Sequence, residues 1–321
     1  MRAAVIDLGT NTSNLIVAEI PSAEVNIIYQ GKEYVRLGDK NISDNNISEA
    51  AMERAVAALD RQVRHAKTLN ATTIRILATS AVRHASNRQV IAQRILQKTG
   101  IEIEIISGDR EAELIYRGVK LALGTLESPA AILDIGGGSN EIIICQNGSV
   151  LWQESFAAGM TRIIHHFPIS NPIRSNEVEL LAEHFAVVHS AAFEACRQYE
   201  VNTLIGCSGA FSTLSDVLEG VDPELFFRRS KEIPISDFSR VYGMMLKSTT
   251  EERSQMKGMD AMRTDLIVPA LILGRTLLDQ TGINKIVHTG YALREGVLYE
   301  MINSLTSLQP LVGTSSADRE N

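Results

Sequence analysis

One stretch occurs twice in altered form: AVIDLGTNTSNLIV at Ala4–Val17 and AILDIGGGSNEIII at Ala131–Ile144. At an offset of 127 residues (134 minus 7), Asp7 falls on Asp134, Gly9 on Gly136, Thr12 on Ser139 and Leu15 on Ile142. In both copies an apolar β-branched run ends in Asp, a glycine- and hydroxyl-rich turn follows, and a second apolar run begins. The spacing predicts strand, tight turn, strand, since the turn is too short for anything but a hairpin. Small residues there let the backbone approach a ligand closely and aim several amides at one point, which suits phosphate. Two such turns on two related halves imply a phosphate clamp between them.

The chain of 321 residues is long enough for two domains with separate cores. The linker signal lies at Gly124–Pro129, so the expected division is residues 1–125, residues 126–305 and a polar tail, 306–321. Strands alternate with helices in each half, which defines an α/β class with mixed sheets. Helical spacing is expected over Ser48–Lys67, from Arg83 on towards Lys98, over Asp109–Leu123, and as one long helix over Glu177–Tyr199. Ala158–Met160 reads as a loop. Val221–Ile235 reads as irregular, and its Arg228, Arg229 and Lys231 are either a basic track or a solvated loop.

Formal net charge is −7, which argues against nucleic acid as a partner but leaves room for a polyanionic small substrate with locally placed cations. No apolar run is long enough to span a membrane. The first strand begins at once, leaving no room for a signal peptide, and three unpaired cysteines fit a reducing compartment, so the expectation is a cytoplasmic protein. Cys145, Cys196 and Cys207 have no metal-ligand spacing. His165, His166, His184 and His189 are expected at the surface.

The segments IDLGTNTSNL, RILATSAVRHASN, IEIISGDREAELIYRGV, LDIGGGSNEI and YALREGVLYEM, in this order, resemble the exopolyphosphatase/guanosine-pentaphosphate phosphatase family, within the actin/Hsp70/sugar-kinase superfamily. The resemblance runs from Met1 to Met301 and is to the short, two-domain type. It implies two actin-like ATPase (ribonuclease H-like) domains with the active site in the cleft between them. It also implies hydrolysis of a terminal phosphoanhydride with Mg²⁺ as cofactor.

Residue by residue, the family's catalytic glutamate falls on Glu111, in the first turn of a helix, where the dipole favours a carboxylate ready to take a proton from water. Arg83 matches an arginine expected to face the phosphate chain. Asp7, Asp134 and Glu141 are the expected metal set. Gly9, Thr10, Asn11, Thr12, Gly136, Gly137, Gly138, Ser139 and Gly209 are the expected phosphate cradle. Arg294 and Glu295 read as structural, pinning the last helix. Two positions depart from the family pattern. Arg110 stands where a second glutamate is usual, placing a positive charge beside the base. Ala210 stands in the turn that contacts a nucleoside in the wider superfamily, which favours an inorganic substrate. The leading expectation is release of phosphate from the end of inorganic polyphosphate, with the 5′-γ-phosphate of guanosine pentaphosphate as the alternative. A non-catalytic alarmone or polyphosphate sensor is a reading of another class, which the retained Glu111, Asp7 and Asp134 disfavour. The resemblance leaves a homodimer open.

Overall fold

A computed structural model of the chain describes residues 1–20, 25–38, 45–223 and 229–307. The first half runs β1 (Arg2–Leu8), β2 (Thr12–Glu19), β3 (Asn26–Tyr34), α1 (Glu49–Thr68), β4 (Thr73–Ala78), α2 (Ser80–His84), α3 (Arg88–Thr99), β5 (Ile103–Ile105) and α4 (Gly108–Leu123). The second runs β6 (Ala130–Ile135), β7 (Asn140–Gln146), β8 (Ser149–Phe156), α5 (Met160–His166), α6 (Ser175–Val188), α7 (Ser190–Gln198), β9 (Thr203–Cys207) and α8 (Ser208–Glu219). It continues through β10 (Lys231–Ile233), α9 (Ile235–Lys247), α10 (Thr250–Ser254), α11 (Ile267–Thr281), β11 (Lys285–His288) and α12 (Leu293–Ser307).

The two sheets repeat one plan. The first has the order β3-β2-β1-β4-β5, with an antiparallel β1-β2-β3 meander continued in parallel by β4 and β5. The second has the order β10-β11-β9-β6-β7-β8, in which β6-β7-β8 is the meander and β9 and β11 continue in parallel. The repeat extends to irregularities. The β2–β3 ladder slips register between Val17 and Ala18, and the β7–β8 ladder between Ile144 and Cys145, again 127 residues on. A bulge bends its strand and raises local twist, so both meanders curve alike.

Strand alternation distributes the core. Ala4, Ile6 and Leu8 face outward from β1 onto α1 and α3, whose Ala55, Leu59, Ile91 and Ile95 are buried there. Ala3 and Val5 point inward to a central cluster with Leu114, Ile115 and Val119 of α4 and Val297, Leu298 and Ile302 of α12. Ile132, Ile143 and Ile205 close that cluster from the second sheet. The α4–α12 pair is therefore the layer between the sheets. Its helices touch backbone to backbone: a Cβ on Gly118 would lie 2.0 Å from the Ala292 carbonyl oxygen, and one on Gly296 1.8 Å from that of Leu114.

Several local expectations are corrected. The helix through Arg83 breaks after His84, because Asn87 turns its amide to the backbone of Ile47, donating to its carbonyl at 2.8 Å and accepting from its N–H at 3.1 Å. The single helix expected over Glu177–Tyr199 is two, broken at His189. That histidine is buried rather than at the surface. Its ring packs on Phe156, Phe185 and Phe193, and its Nδ1 lies 3.0 Å from the Phe185 carbonyl oxygen. Helix α5 begins within the expected loop at Met160, and Lys231–Ile233 pairs with β11 as an edge strand. Arg228 and the tail from Leu308 lie outside the described residues. No described helix is long and apolar enough to cross a membrane.

Candidate active site

The repeated turns are built alike. Gly9 N–H donates to the Thr12 carbonyl at 2.9 Å, and Gly136 N–H to the Ser139 carbonyl at 3.0 Å. Across each hairpin the turn aspartate faces a different residue, Asn14 beside Asp7 and Glu141 beside Asp134. The turns confront each other. A Cβ on Gly138 would come within 2.5 Å of Thr10 Oγ1 and 2.7 Å of Ser80 Oγ, so glycine is required for this approach. Asn11 Nδ2 donates to Thr161 Oγ1 at 2.9 Å, joining the halves at the floor of the cleft. Among the described residues, the amides of Thr10, Asn11, Gly137 and Gly138 have no acceptor. Backbone donors left without partners in glycine-rich turns can form a concavity for an anion.

The cleft has a volume of about 880 Å³ and is lined by Asp7, Gly9–Thr12, Glu111, Asp134, Gly136–Ser139, Glu141 and Gly209. All of the expected metal and cradle residues therefore share one cavity with Glu111. Arg83 is not among the lining residues. It stands behind Glu111, with Nη1 2.7 Å from Glu111 Oε2 and 3.1 Å from the Ile106 carbonyl oxygen. Glu111 Oε1 has no hydrogen-bond partner among the described residues. Ser107 caps α4 by accepting from Arg110 N–H, which fixes the first turn and the direction of Glu111.

Burial dominates the electrostatics. The helix dipole favours an ionised Glu111, yet burial pushes its carboxyl up to about 7; the Arg83 charge and hydrogen bond oppose this, and Asp7 and Asp134 add to it. Asp7 is also pushed up to about 7, by burial first, against the pull of Arg294 and with a push from Asp134. Asp134 is raised by burial against hydrogen bonds with Ser208 and Cys207. Glu141 stands well above the ordinary range through burial and the charges of Glu111 and Asp134, although Ser155 Oγ donates to it at 2.7 Å. Four carboxyl groups thus repel one another across a cavity that can take compensating cations.

The donor set fits a hard divalent cation. Asp7 Oδ1 is buried without a hydrogen-bond partner, and all the oxygens in question are carboxylate oxygens. Among the described residues no three Asp, Glu, His or Cys side chains come close enough to cage a metal alone. Mg²⁺ bound by one or two carboxylates keeps several waters and takes further oxygens from a substrate, and Asp7 and Asp134 in one cavity offer such a pair.

One departure in the sequence resolves differently from expectation. Arg110 does not bond to Glu111. One residue along a helix turns the side chain by a third of a revolution, and Arg110 points to Glu113 at 2.5 Å and Glu300 at 2.6 Å on α12. Gly209 lies under the Arg263 guanidinium, whose Nη1 donates to its carbonyl at 2.8 Å; a Cβ there would meet Arg263 at 1.5 Å. Arg263, Lys32, Asp260 and His288 also line the cleft, and sequence reading assigned none of them a place in it. Their contacts join distant segments, so local pattern does not place them in the cleft. Glu295 is buried and accepts from Ala292 N–H at 2.8 Å, a cap on α12 in keeping with its structural reading.

Duplicated α/β halves enclosing paired phosphate-sized turns and buried carboxyl groups define an actin-like, two-lobed protein built for phosphoryl chemistry. The chain belongs to the Ppx/GppA phosphatase family, whose sequence pattern it matches over residues 16–305. It is accordingly an enzyme, a hydrolase of phosphoanhydrides. An exopolyphosphatase from Cytophaga hutchinsonii superposes with a TM-score of 0.90 at 34% identity, covering 95% of this chain and 98% of that one. An uncharacterized protein of Streptomyces coelicolor is 27% identical over 305 residues, 94% of this chain and 90% of its own. The guanosine-5'-triphosphate,3'-diphosphate pyrophosphatase of Photobacterium profundum is 25% identical over 94% of this chain, which spans 59% of that protein's length.

Proposed function

We propose that this protein is an exopolyphosphatase, releasing terminal phosphate from inorganic polyphosphate by attack of a water that Glu111 activates. The observation that carries the reading is Glu111 itself. It is a buried carboxyl lining the same cavity as both turns, with Oε2 engaged by Arg83 and its proton affinity raised to neutrality. A base poised near the working pH combines a useful ionised fraction with a strong pull on the proton.

The terminal phosphoryl group sits between the turns, its oxygens on the amides of Thr10, Asn11, Gly137 and Gly138. Arg83 holds Glu111 so that Oε1 faces the water in line with the bond to be broken. As the water oxygen bonds to phosphorus, its proton passes to Glu111 and the shortened chain leaves with the bridging oxygen. Mg²⁺, held by Asp7 and Asp134 with Glu141 beside them, would supply charge neutralisation at the phosphate oxygens. Most of the acceleration then comes from positioning and electrostatics. Arg263, seated on Gly209, supports an inorganic chain over a nucleoside at that turn. The guanosine reading is kept by the named activity of the Photobacterium relative.

The test is phosphate release with Mg²⁺ from long and short polyphosphate, guanosine pentaphosphate and ATP, with Glu111→Gln alongside. Wild type should release phosphate from polyphosphate and the variant should lose at least ~10²-fold. Preference for guanosine pentaphosphate would replace the substrate. Tight binding without hydrolysis would make the protein a sensor and overturn the role of Glu111.

A further inference from the structure

The cleft is poorly furnished for a polyanion. Its described lining carries six carboxyl groups, those of Asp7, Glu111, Asp134, Glu141, Asp216 and Asp260, but only three Lys or Arg side chains, Lys32, Arg263 and Arg294. Two of those three cations share one carboxylate. Lys32 Nζ lies 2.5 Å and Arg263 Nη1 3.5 Å from Asp260 Oδ2, while Tyr34 Oη donates to Oδ1 at 3.3 Å and Met262 N–H donates to it at 2.9 Å. Asp260 is buried, and its donors come from both halves, Lys32 and Tyr34 from β3 and the rest from the segment before α11. An ammonium, a guanidinium, a phenol and an amide converging on two oxygens form a receptor for a phosphate as well as for a carboxylate.

This receptor is wired to the first turn. Immediately after β3, Val35 and Arg36 donate their N–H groups to the Asn11 carbonyl at 2.9 and 3.0 Å, and Leu37 and Gly38 donate theirs to the Thr10 carbonyl at 2.7 and 3.2 Å. The carbonyls so held belong to Thr10 and Asn11, two residues of the turn that lines the cleft.

We propose that Asp260 is a built-in anion, occupying in the free protein the receptor for a substrate phosphate remote from the bond that breaks, and that this phosphate displaces it. The inference rests on the reading of the cleft as a phosphoanhydride site. Until displacement, Asp260 bridges the two walls of the cleft and engages both Lys32 and Arg263, offsetting one of their two charges. After it, both cations hold the substrate and Asp260 no longer ties the halves. The carboxylate also sets a threshold on the ligand: a lone phosphate that reaches only the turns does not replace it, whereas a chain that reaches both places does.

The experiment is calorimetric binding of inorganic triphosphate with Mg²⁺ to Glu111→Gln protein, alone and combined with Asp260→Asn, Lys32→Met or both. Asp260→Asn should tighten binding at least ~10-fold, the low end of coupling for close charge pairs. Lys32→Met should cost little when Asp260 is present and should remove most of the gain when it is absent. Unchanged or weaker binding in a folded Asp260→Asn protein overturns the proposal, since Asp260 would then only position its neighbours. Triphosphate binding to none of the four proteins refutes the phosphoanhydride reading. The bridge is judged separately, by the rate at which acetic anhydride modifies Lys32. Asp260→Asn should raise that rate several-fold, and equal rates overturn the bridge.

Discussion

The α4–α12 contact gives a prediction whose sign depends on the surroundings of a glycine. Gly118, Gly296 and Gly243 all lie inside helices, where alanine is intrinsically better by roughly 0.5–1 kcal/mol. At Gly243 in α9 a Cβ meets nothing within 4 Å, so Gly243→Ala should be stabilising by that amount. At Gly296 a Cβ would lie 1.8 Å from the Leu114 carbonyl oxygen. That neighbour is backbone and cannot turn aside, so the helices must part by more than ~1 Å to restore ordinary contact. Overpacking of a tight core costs about 1–3 kcal/mol, and this site belongs at the upper end. At about 2.1 cal/mol/K per residue, 1 kcal/mol is worth ~1.5 °C in a chain of 321 residues, so Tm should fall by about 4–5 °C. Activity should suffer beyond stability, because α4 carries Glu111 and α12 carries Arg294, which lines the cleft. A misplacement of ~1 Å is worth about 10²-fold in rate, so Gly296→Ala should lower kcat by that order well below its Tm. Calorimetry and phosphate release on the two variants check this. If Gly296→Ala melts with wild type and keeps its rate, the backbone contact does not set the spacing of the helices and the reasoning fails.

Two further outcomes follow from buried titratable groups. Arg83 pulls the Glu111 carboxyl down against burial, so Arg83→Met should move the acid limb of the pH–rate profile to higher pH; a shift to lower pH, or none, would show that Arg83 does not act on the base. His189 is driven down to about 4, by burial first, with the Phe185 carbonyl opposing. The unfolded chain takes up this proton first, so stability falls as pH drops from about 6.5 towards 4, by about 2 kcal/mol at pH 5. His189→Leu should flatten that loss in urea unfolding at pH 7 and 5, and an unchanged slope would assign it to other groups.

What the sequence made legible was local or repeated. Strand, aspartate, small-residue turn and strand are contiguous, and the second copy supplied what one copy lacked, so the hairpins and their facing turns could be read directly. The first-turn position of Glu111 needed only helix spacing and the Ser107 stop. Where long-range contacts decide, the reading failed. Asn87 breaks a helix by bonding Ile47, 40 residues away. His189 looked like a surface residue until three phenylalanines enclosed it. Arg110 looked like a neighbour of the base, but helix geometry and Glu300, 190 residues on, turn it outward. The Lys32–Asp260 bridge spans 228 residues of sequence, and neither partner carries a motif.

The duplicated frame has a last consequence. Its hairpins, bulges and turns match, but their side chains do not: Asn14 stands opposite Asp7 where Glu141 stands opposite Asp134. In the central helix pair, the first-turn Glu111 of α4 faces the cleft while Glu295 of α12 caps its own helix. A near-twofold pair of turns thus has a first-turn glutamate lining the cleft on one side only. On the function proposed here, a chain lying between the halves is not offered two equivalent directions. One end alone meets the water-activating carboxyl, and the polarity of the cut is set by which half presents its acid to the ligand.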